Sequence, residues 1–261
     1  MSATTEPPAS SRHALAEAGV RPVPRYARFV RGLQQRLVID MPGGPRIISF
    51  ATVINFQKCL MFAYLGALMW LYNDHTPAAS STAAWIYLAL HGSYGLVWYL
   101  KDKTFPDPGW QHRLTVPGAV NAILAVLGWY WLFGWLLISG RGGDYPIDDN
   151  PWFAVCITLV VLGSVVMIAA DAQKFFTLRV ERGLITDGMF SFVRHPNYTG
   201  EMMIYLGFAL MVWHWLPFLV LAWVWGGVFT ANMLAKEASM SRYPEWAAYK
   251  ARSRWVIPFV L

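Results

Sequence analysis

A short segment around position 198 carries five side chains that can each donate a hydrogen bond, accept one or hold a charge. They are Arg194, His195, Asn197, Tyr198 and Glu201. Pro196 within the segment is typical of a helix start, and Gly200 permits the close approach of another backbone or of a ligand. A purely structural helix cap does not need so many polar groups. Their density therefore predicts a binding site.

Polar and aromatic residues elsewhere in the last third of the chain extend this candidate site. One group follows an apolar run that ends near position 170, and another follows the last apolar run of the chain. The tail after position 240 adds aromatic and cationic groups, which we expect to fold over a pocket. These further candidates are Asp171, Lys174, Arg179, Lys236, Tyr243 and Tyr249.

Several polar residues lie inside the earlier apolar runs, and three of them could serve a function. His91 and Tyr94 are about one helical turn apart and can face one cavity, although hydrogen bonding between helices also explains such residues. Lys58 lies about nine residues into its run, where it either extends to the membrane surface, forms an internal pair or serves a function. No spacing of His, Cys and carboxylates indicates a metal site, and no phosphate-loop or dinucleotide-binding glycine motif is present.

The elements that must position these residues are apolar segments. Of the 261 residues, 56% are hydrophobic and 14% are charged. This composition excludes a disordered chain, a disulfide-stapled secreted domain and an ordinary soluble α/β enzyme. Because a membrane-spanning helix needs about 20 mostly apolar residues, we predict an all-α, polytopic integral membrane protein with about six transmembrane helices. Their ranges are 49–72, 83–100, 118–139, 152–170, 198–215 and 217–235.

The positions of Lys and Arg predict the orientation of these helices. With six spans, 19 of the 21 basic residues lie on one side of the membrane. On the other side, the two loops contain a single basic residue, Arg141. This asymmetry predicts that both termini are cytosolic. The net charge of +6 is then explained by membrane topology, and no nucleic-acid partner is expected. No cleavable secretory signal is expected at the N terminus.

An N-terminal arm precedes the first span. Residues 1–11 are expected to form a disordered tail. Residues 25–37 mix basic and apolar residues at helical spacing, which predicts a helix on an anionic membrane surface, with organelle targeting as the alternative.

The segment Arg194-His195-Pro196-Asn197-Tyr198-Thr199-Gly200 resembles the RHPNYxG element of a membrane superfamily. That superfamily contains steroid 5-alpha-reductases, sterol delta-14 and delta-7 reductases and isoprenylcysteine carboxyl methyltransferases. The resemblance covers roughly residues 165–261, a DUF1295-like C-terminal domain. It divides the chain into a cytosolic basic arm (1–46), N-terminal transmembrane helices around a substrate cavity (47–164) and this C-terminal domain (165–261).

Several details resemble the reductases more than the methyltransferases. Asp171-x-Gln173-Lys174 followed by Arg179 is similar to a segment of sterol reductases, and Glu201 extends the motif as it does there. The ending, with Tyr243-Pro244 and then Ile257-Pro258-Phe259, is similar to that of steroid reductases. Isoprenylcysteine methyltransferases typically carry paired glutamates after the last helix, where this chain has Lys236-Glu237. In one departure, Met240 stands where sterol reductases have an aspartate.

The resemblance implies an NADPH-dependent reductase of a C=C bond in a lipophilic, steroid-, sterol- or isoprenoid-like substrate. It implies a cytosolic cofactor pocket formed by the C-terminal helices and tail. Lys174, Arg179 and Arg194 would bind phosphates, Asn197 and Tyr198 would orient the adenosine or nicotinamide part, and Glu201 would bind ribose or the carboxamide. Tyr94 or His91 is the expected proton donor. The other expected cofactor contacts are Asp171, His195, Lys236, Tyr243 and Tyr249.

Two other functions remain open at this stage. One is an S-adenosylmethionine-dependent methyltransferase acting on a prenylcysteine or a phospholipid, and the other is a non-catalytic lipid-binding scaffold. The many cations favour NADPH, which carries a pyrophosphate and a further phosphate, although membrane topology alone also places cations on this face. The expected partners are a lipophilic small molecule from the bilayer and membrane lipids. The expected location is the endoplasmic reticulum in a eukaryote.

Overall fold

The computed structural model describes residues 21–40 and 43–257. The predicted disordered tail over 1–11 lies outside the described residues, as do Pro258 and Phe259 of the predicted ending. Helices dominate the described part, as the apolar runs predict. They are α1 (Arg25–Gln35), α2 (Phe50–Cys59), α3 (Met61–Tyr72), α4 (Thr82–Thr104), α5 (Val116–Ala122), α6 (Trp129–Ile138), α7 (Asp149–Val180), α8 (Pro196–Val212), α9 (Trp215–Trp223), α10 (Thr230–Met240) and α11 (Trp246–Arg252).

Short irregular elements join these helices. Three π-helical segments lengthen helices: Arg36–Asp40 continues α1, Ile123–Leu127 continues α5, and Val224–Phe229 connects α9 to α10. The strands β1 (Ile48–Ser49) and β2 (Arg113–Leu114) form a two-residue antiparallel ribbon in which Ile48 pairs with Leu114. This ribbon is a small addition to the predicted all-α fold.

A helix lies in each of the six ranges predicted to span a membrane. Three helical stretches are long and apolar enough to cross: Phe50–Tyr72, Asp149–Val180 and Trp215–Met240. A fourth span is formed if Val116–Leu127 and Trp129–Ile138, which are bent by 53°, cross together. Among the described residues, α4 and α8 do not qualify by the same measure, and α8 has only 17 residues. The described part of the chain is therefore all-α in architecture and has three or four stretches able to cross a membrane by length and composition. The prediction of six spans is not supported by this measure.

Two glycines bring the helices that carry polar groups into close contact. A Cβ atom on Gly200 would lie 2.5 Å from the carbonyl oxygen of Gly163 and from the backbone nitrogen of Met167, so α7 and α8 pack backbone to backbone. A Cβ atom on Gly95 would overlap the carbonyl oxygen of Lys58, so α2 and α4 are equally close. These contacts place the polar residues of α2, α4, α7 and α8 around one interior.

The C-terminal tail packs on the start of α8. The backbone nitrogen of Arg194 donates to the carbonyl of Arg254 at 2.8 Å, and the nitrogen of Arg254 donates to the carbonyl of Phe192 at 2.7 Å. The hydroxyl of Thr199 donates to the carbonyl of Val256 at 2.5 Å. The tail therefore fixes the segment in which the polar residues are densest.

Candidate functional site

Three buried side chains from three helices form a donor cluster, by which we mean Lys58, Tyr94 and Tyr205. The Lys58 ammonium donates to the hydroxyl of Tyr94 at 3.1 Å and to the hydroxyl of Tyr205 at 2.6 Å. Lys58 is 5% exposed. Within the described residues, no carboxylate oxygen lies within 4.0 Å of its Nζ atom. The helices thus hold a cation and two phenols together in an apolar interior.

The surroundings of the donor cluster are mostly aromatic. The ring of Tyr130 stacks on the ring of Tyr205 with centroids 4.0 Å apart, and the ring of Trp98 lies 4.3 Å from the Lys58 ammonium. The hydroxyl of Tyr94 donates to the sulfur of Met167 at 3.8 Å. Because a thioether is a weak acceptor, the phenol proton of Tyr94 is well placed to transfer to a better acceptor, such as a carbonyl oxygen.

His91 lies beside the donor cluster but has other partners. Its Nδ1 atom is 3.0 Å from the hydroxyl of Tyr87, and its ring stacks on Phe208 with centroids 4.1 Å apart. No hydrogen bond joins it to Lys58 or Tyr94 among the described residues. Of the two predicted proton donors, Tyr94 belongs to the cluster and His91 does not.

A cleft of about 200 Å³ opens between the C-terminal ends of α4 and α7. Lys101 pairs with Asp171 at 2.5 Å, and Lys174 pairs with Asp107 at 3.4 Å. Arg179 is exposed and lies over the ring of Phe175, with no carboxylate partner in the described part of the chain. Three cations and two carboxylates give the cleft a net positive charge. Three of its residues, Asp171, Lys174 and Arg179, are predicted from the sequence to contact a cofactor.

The electrostatics of the cleft are visible at Asp107, in the loop after α4. Burial alone would raise the pKa of its carboxyl group. The nearby Lys174 ammonium and the backbone N–H of Gly109 offset this effect and hold the pKa below its ordinary value. Asp107 is therefore ionised at neutral pH and fixes Lys174 at the edge of the cleft.

The cleft and the donor cluster are neighbours. The centroid of the Trp98 ring lies 4.3 Å from the ammonium of Lys58 and 4.2 Å from that of Lys101. Glu201, on α8 one turn before Tyr205, interacts electrostatically with both lysines. It is half-buried and makes no hydrogen bond or ion pair with any described residue. Its carboxylate thus interacts with a lysine of the donor cluster and with a lysine of the cleft.

Two further predicted residues, Tyr198 and Lys236, adjoin the same region. The Lys236 ammonium lies 4.6 Å from the centroid of the Tyr198 ring. Lys236 also interacts electrostatically with Asp107, Asp171 and Glu201. Both residues therefore border the charged groups of the cleft.

Arg194 anchors the tail. Its Nε atom donates to Glu237 Oε1 at 2.6 Å, and its Nη1 atom donates to the carbonyl of Ser253 at 2.6 Å. Lys250 donates to the other oxygen of Glu237 at 2.9 Å. Arg194 is only 8% exposed. A phosphate contact for Arg194 stays a prediction, and the contacts seen in the structure fasten α10, α11 and the tail to the start of α8.

The remaining predicted residues lie near this anchor. Nε2 of His195 is 3.8 Å from Glu237 Oε1, beyond hydrogen-bond distance, and has no other partner among the described residues. Burial lowers the pKa of His195 to about 4, so its ring is neutral at pH 7. The hydroxyl of Tyr249 donates to the carbonyl of Phe190 at 2.8 Å, and that of Tyr243 accepts from Arg242 at 3.0 Å.

Asn197 differs from its neighbours in the motif. It is half-buried, and its side-chain amide makes no hydrogen bond within the described ranges. It is therefore free to bind a ligand. Its predicted role in cofactor binding stays a prediction.

Sequence reasoning missed Tyr205 and Lys101. Tyr205 follows Glu201 by four residues and Lys101 follows Tyr94 by seven, so each shares a helix face with a residue that the sequence did single out. That spacing was the available signal. Among residues 21–40 and 43–257, no group of three or more His, Cys, Asp or Glu side chains is arranged to hold a metal ion.

Sequence comparisons identify related proteins. The model of a family described as "Protein of unknown function (DUF1295)" matches residues 120–254, just over half of the chain. A steroid 5-alpha-reductase of Solanum lycopersicum is 37% identical over 76 residues, which are 28% of this chain and 30% of that protein. An uncharacterized protein of Schizosaccharomyces pombe is 35% identical over 144 residues, covering 54% and 50% of the two chains. A steroid 5-alpha-reductase of Arabidopsis thaliana is 25% identical over 130 residues, covering 47% and 48%.

The chain thus spans half or less of the length of these relatives. The family match includes the α7 side of the cleft, all of α8 and the Arg194 anchor. It excludes Lys58, Tyr94 and Lys101. The donor cluster is therefore completed by helices that lie before the matched range.

Proposed function

The chain belongs to the DUF1295 family, and we propose that it is a membrane reductase that uses NADPH to reduce a C=C bond in a steroid-like, lipophilic substrate. The names of two relatives, both steroid 5-alpha-reductases, support this assignment. The observation that carries it is the donor cluster in an apolar interior, one tryptophan ring away from a cationic cleft. A reductase of a lipophilic substrate needs both features side by side.

The donor cluster suits a C=C bond that is conjugated to a carbonyl group. Addition of a hydride to the β-carbon places negative charge on the carbonyl oxygen. The hydroxyl of Tyr94 binds that oxygen in place of the Met167 sulfur, and Lys58 strengthens this bond by donating to the same phenol. The second phenol, Tyr205, is held beside it by the same ammonium. Tyr94 is the proposed acid: it protonates the enolate oxygen, and the enol then tautomerises to the ketone as the α-carbon takes up a proton and the oxygen loses one, while solvent reprotonates Tyr94.

The cationic cleft fits part of a phosphorylated dinucleotide. NADPH, when bound, supplies the hydride. Arg179 has a guanidinium without a carboxylate partner among the described residues, and Lys174 stands beside it, so both suit phosphate oxygens. The carboxylates of Asp171 and Glu201 suit ribose hydroxyls, and the amide of Asn197 suits the carboxamide. A volume of about 200 Å³ accommodates one portion of such a cofactor. Lys236, which lies over the ring of Tyr198, interacts electrostatically with Asp107 and Asp171 of the cleft.

Cofactor binding provides the first test. The protein is purified in mild detergent, and binding of NADPH and of S-adenosylmethionine is measured by calorimetry. We expect saturable NADPH binding that Arg179→Met weakens by about 10- to 100-fold, because a hydrogen bond to a charged group contributes about 1.5–3 kcal/mol. Arg182→Met, which removes an exposed arginine outside the cleft, is the matched control.

The outcomes of this test separate the candidate functions. Binding of S-adenosylmethionine alone favours the methyltransferase. Binding of neither compound by folded protein favours the scaffold. Equal effects of the two arginine variants would refute the placement of phosphates at Arg179.

The donor cluster is tested by turnover of a steroid enone. Tyr94→Phe keeps the ring and removes the hydroxyl. We expect it to lower kcat by about 10²- to 10⁴-fold, the usual range for a lost general acid, while NADPH affinity is unchanged. Tyr99→Phe, on the exposed side of the same helix, is the matched control and should retain full activity. Full activity of Tyr94→Phe would remove this residue from the mechanism.

A further inference from the structure

The helix α1 lies against the bundle outside the site described above. The hydroxyl of Tyr26 donates to the carbonyl of Gly226 at 2.6 Å, and Ala27 is fully buried. Just before the helix, the backbone nitrogen of Arg21 donates to the hydroxyl of Ser241 at 2.7 Å. The inner side of α1 is thereby fixed along the helical stretch Trp215–Met240, one of the three stretches that are long and apolar enough to span a membrane.

A second side of α1 exposes large apolar residues. Tyr26, Phe29 and Leu33 share one face by their spacing and are 46%, 70% and 41% exposed. Trp223, one turn before Gly226, is 54% exposed. Because Tyr26 bonds to Gly226, this apolar face adjoins the outer surface of the proposed span. Acyl chains cover such a surface in a bilayer.

The exposed surface of α1 and of its extension Arg36–Asp40 is also basic. Arg25, Arg31 and Arg36 are exposed, and their guanidinium groups make no hydrogen bond or ion pair with any described residue. The only carboxylate in residues 25–40 belongs to Asp40, which accepts a hydrogen bond from Gln35 at 3.1 Å. The helix thus presents uncompensated cations next to an apolar face that borders the span.

We propose that α1 and its extension lie in the membrane interface and bind anionic phospholipids. The arginines would bind headgroup phosphates, while Phe29 and Leu33 insert at the boundary with the acyl chains. An apolar face that adjoins the outside of a span, combined with unpaired guanidinium groups, matches the charge and polarity of an anionic leaflet. This inference is independent of the proposed reductase activity.

Hydrogen exchange of the full chain in nanodiscs tests the proposal. One sample contains phosphatidylcholine only, and the other adds phosphatidylglycerol. We expect the amides of residues 25–37 to exchange at least about tenfold more slowly in the anionic discs, because each arginine near such a surface adds to the attraction. Added salt should reduce the difference. Equal exchange in the two lipids would overturn the proposal.

Variants assign the effect to the helix. In a triple variant with Arg25→Gln, Arg31→Gln and Arg36→Gln, the exchange rate of residues 25–37 should no longer depend on lipid composition. In the control variant Arg182→Gln, that dependence should remain. If the triple variant keeps the dependence, the arginines are not the lipid contacts. Protection that rises with protein concentration, and not with anionic lipid, would mean that a second copy covers the apolar face, which also contradicts the proposal.

Discussion

Removal of the carboxylate of Glu237 should destabilise the protein strongly. This carboxylate holds the Arg194 guanidinium at 2.6 Å, and the Arg194 side chain is only 7% exposed. Glu237→Ala leaves that cation buried with only neutral partners, at Ser253 and at the carbonyl of Lys250. Breaking a buried ion pair by removing one partner costs about 3–5 kcal/mol. At roughly 2–4 °C per kcal/mol for a chain of this size, the expected fall in Tm is about 10 °C.

Lys250→Met provides the matched comparison. Lys250 bonds to the same carboxylate at 2.9 Å, but its side chain is 39% exposed. Ion pairs with an exposed partner contribute about 1 kcal/mol or less, so Tm should fall by only a few degrees. Differential scanning fluorimetry in detergent measures both shifts. Limited proteolysis after Arg252 and Arg254 should show that the tail is released in Glu237→Ala.

If Glu237→Ala lowers Tm no more than Lys250→Met does, the strong stabilisation expected from the Arg194–Glu237 pair is refuted. In that case the pair does not anchor the tail, and Arg194 would be free to bind a ligand. That result would favour the phosphate contact that the sequence motif predicts for Arg194.

Three further variants test other parts of the structure. Gly200→Ala should lower the free energy of unfolding by about 1–3 kcal/mol, because the new Cβ atom would lie 2.5 Å from backbone atoms of α7. Gly66→Ala, where no atom lies within 4 Å of the new Cβ atom, is the control. Equal Tm values of the two variants would contradict the close packing of α7 and α8. The pKa of about 4 for His195 means that only the unfolded chain takes up this proton between about pH 6.5 and 4. The free energy of unfolding should therefore fall by roughly 3 kcal/mol as the pH falls through that range. His195→Gln should lack this pH dependence. If the stability of His195→Gln falls with pH as that of the unmodified protein does, His195 is not its cause. Lys58→Met should lower single-turnover reduction by about 10²-fold or more without altering NADPH affinity, whereas unchanged reduction would show that the ammonium does not support the phenols.

The sequence supports the positions of the helices because their signal is local. Runs of apolar residues reveal a helix wherever it lies, and Pro217 indicates the break between α8 and α9. The bend of 53° between α5 and α6 was not predicted. This bend depends on how neighbouring helices pack, which the apolar pattern does not encode.

The site is only partly predictable for the same reason. The chemistry of Tyr94 and Glu201 stands out because polar residues in apolar runs are rare. Their partners do not, since Lys58 and Tyr205 are 147 positions apart and meet only because Gly95 and Gly200 allow the helices to approach closely. For Arg194, the sequence indicates a functional role but does not reveal a structural one. Its place in a dense polar motif indicates ligand binding, whereas Glu237, 43 positions away, gives it a structural partner.

The proposed function requires that the protein reduces a lipophilic enone with a hydride from NADPH. To test this directly, purified protein is given a steroid enone and NADPH that is deuterated at the transferable position. The product is then analysed by mass spectrometry. The proposed function predicts a saturated ketone that carries one deuterium from the cofactor, and one from solvent when the reaction is run in deuterated water. A product without cofactor deuterium, or no product from folded protein that binds NADPH, would contradict it.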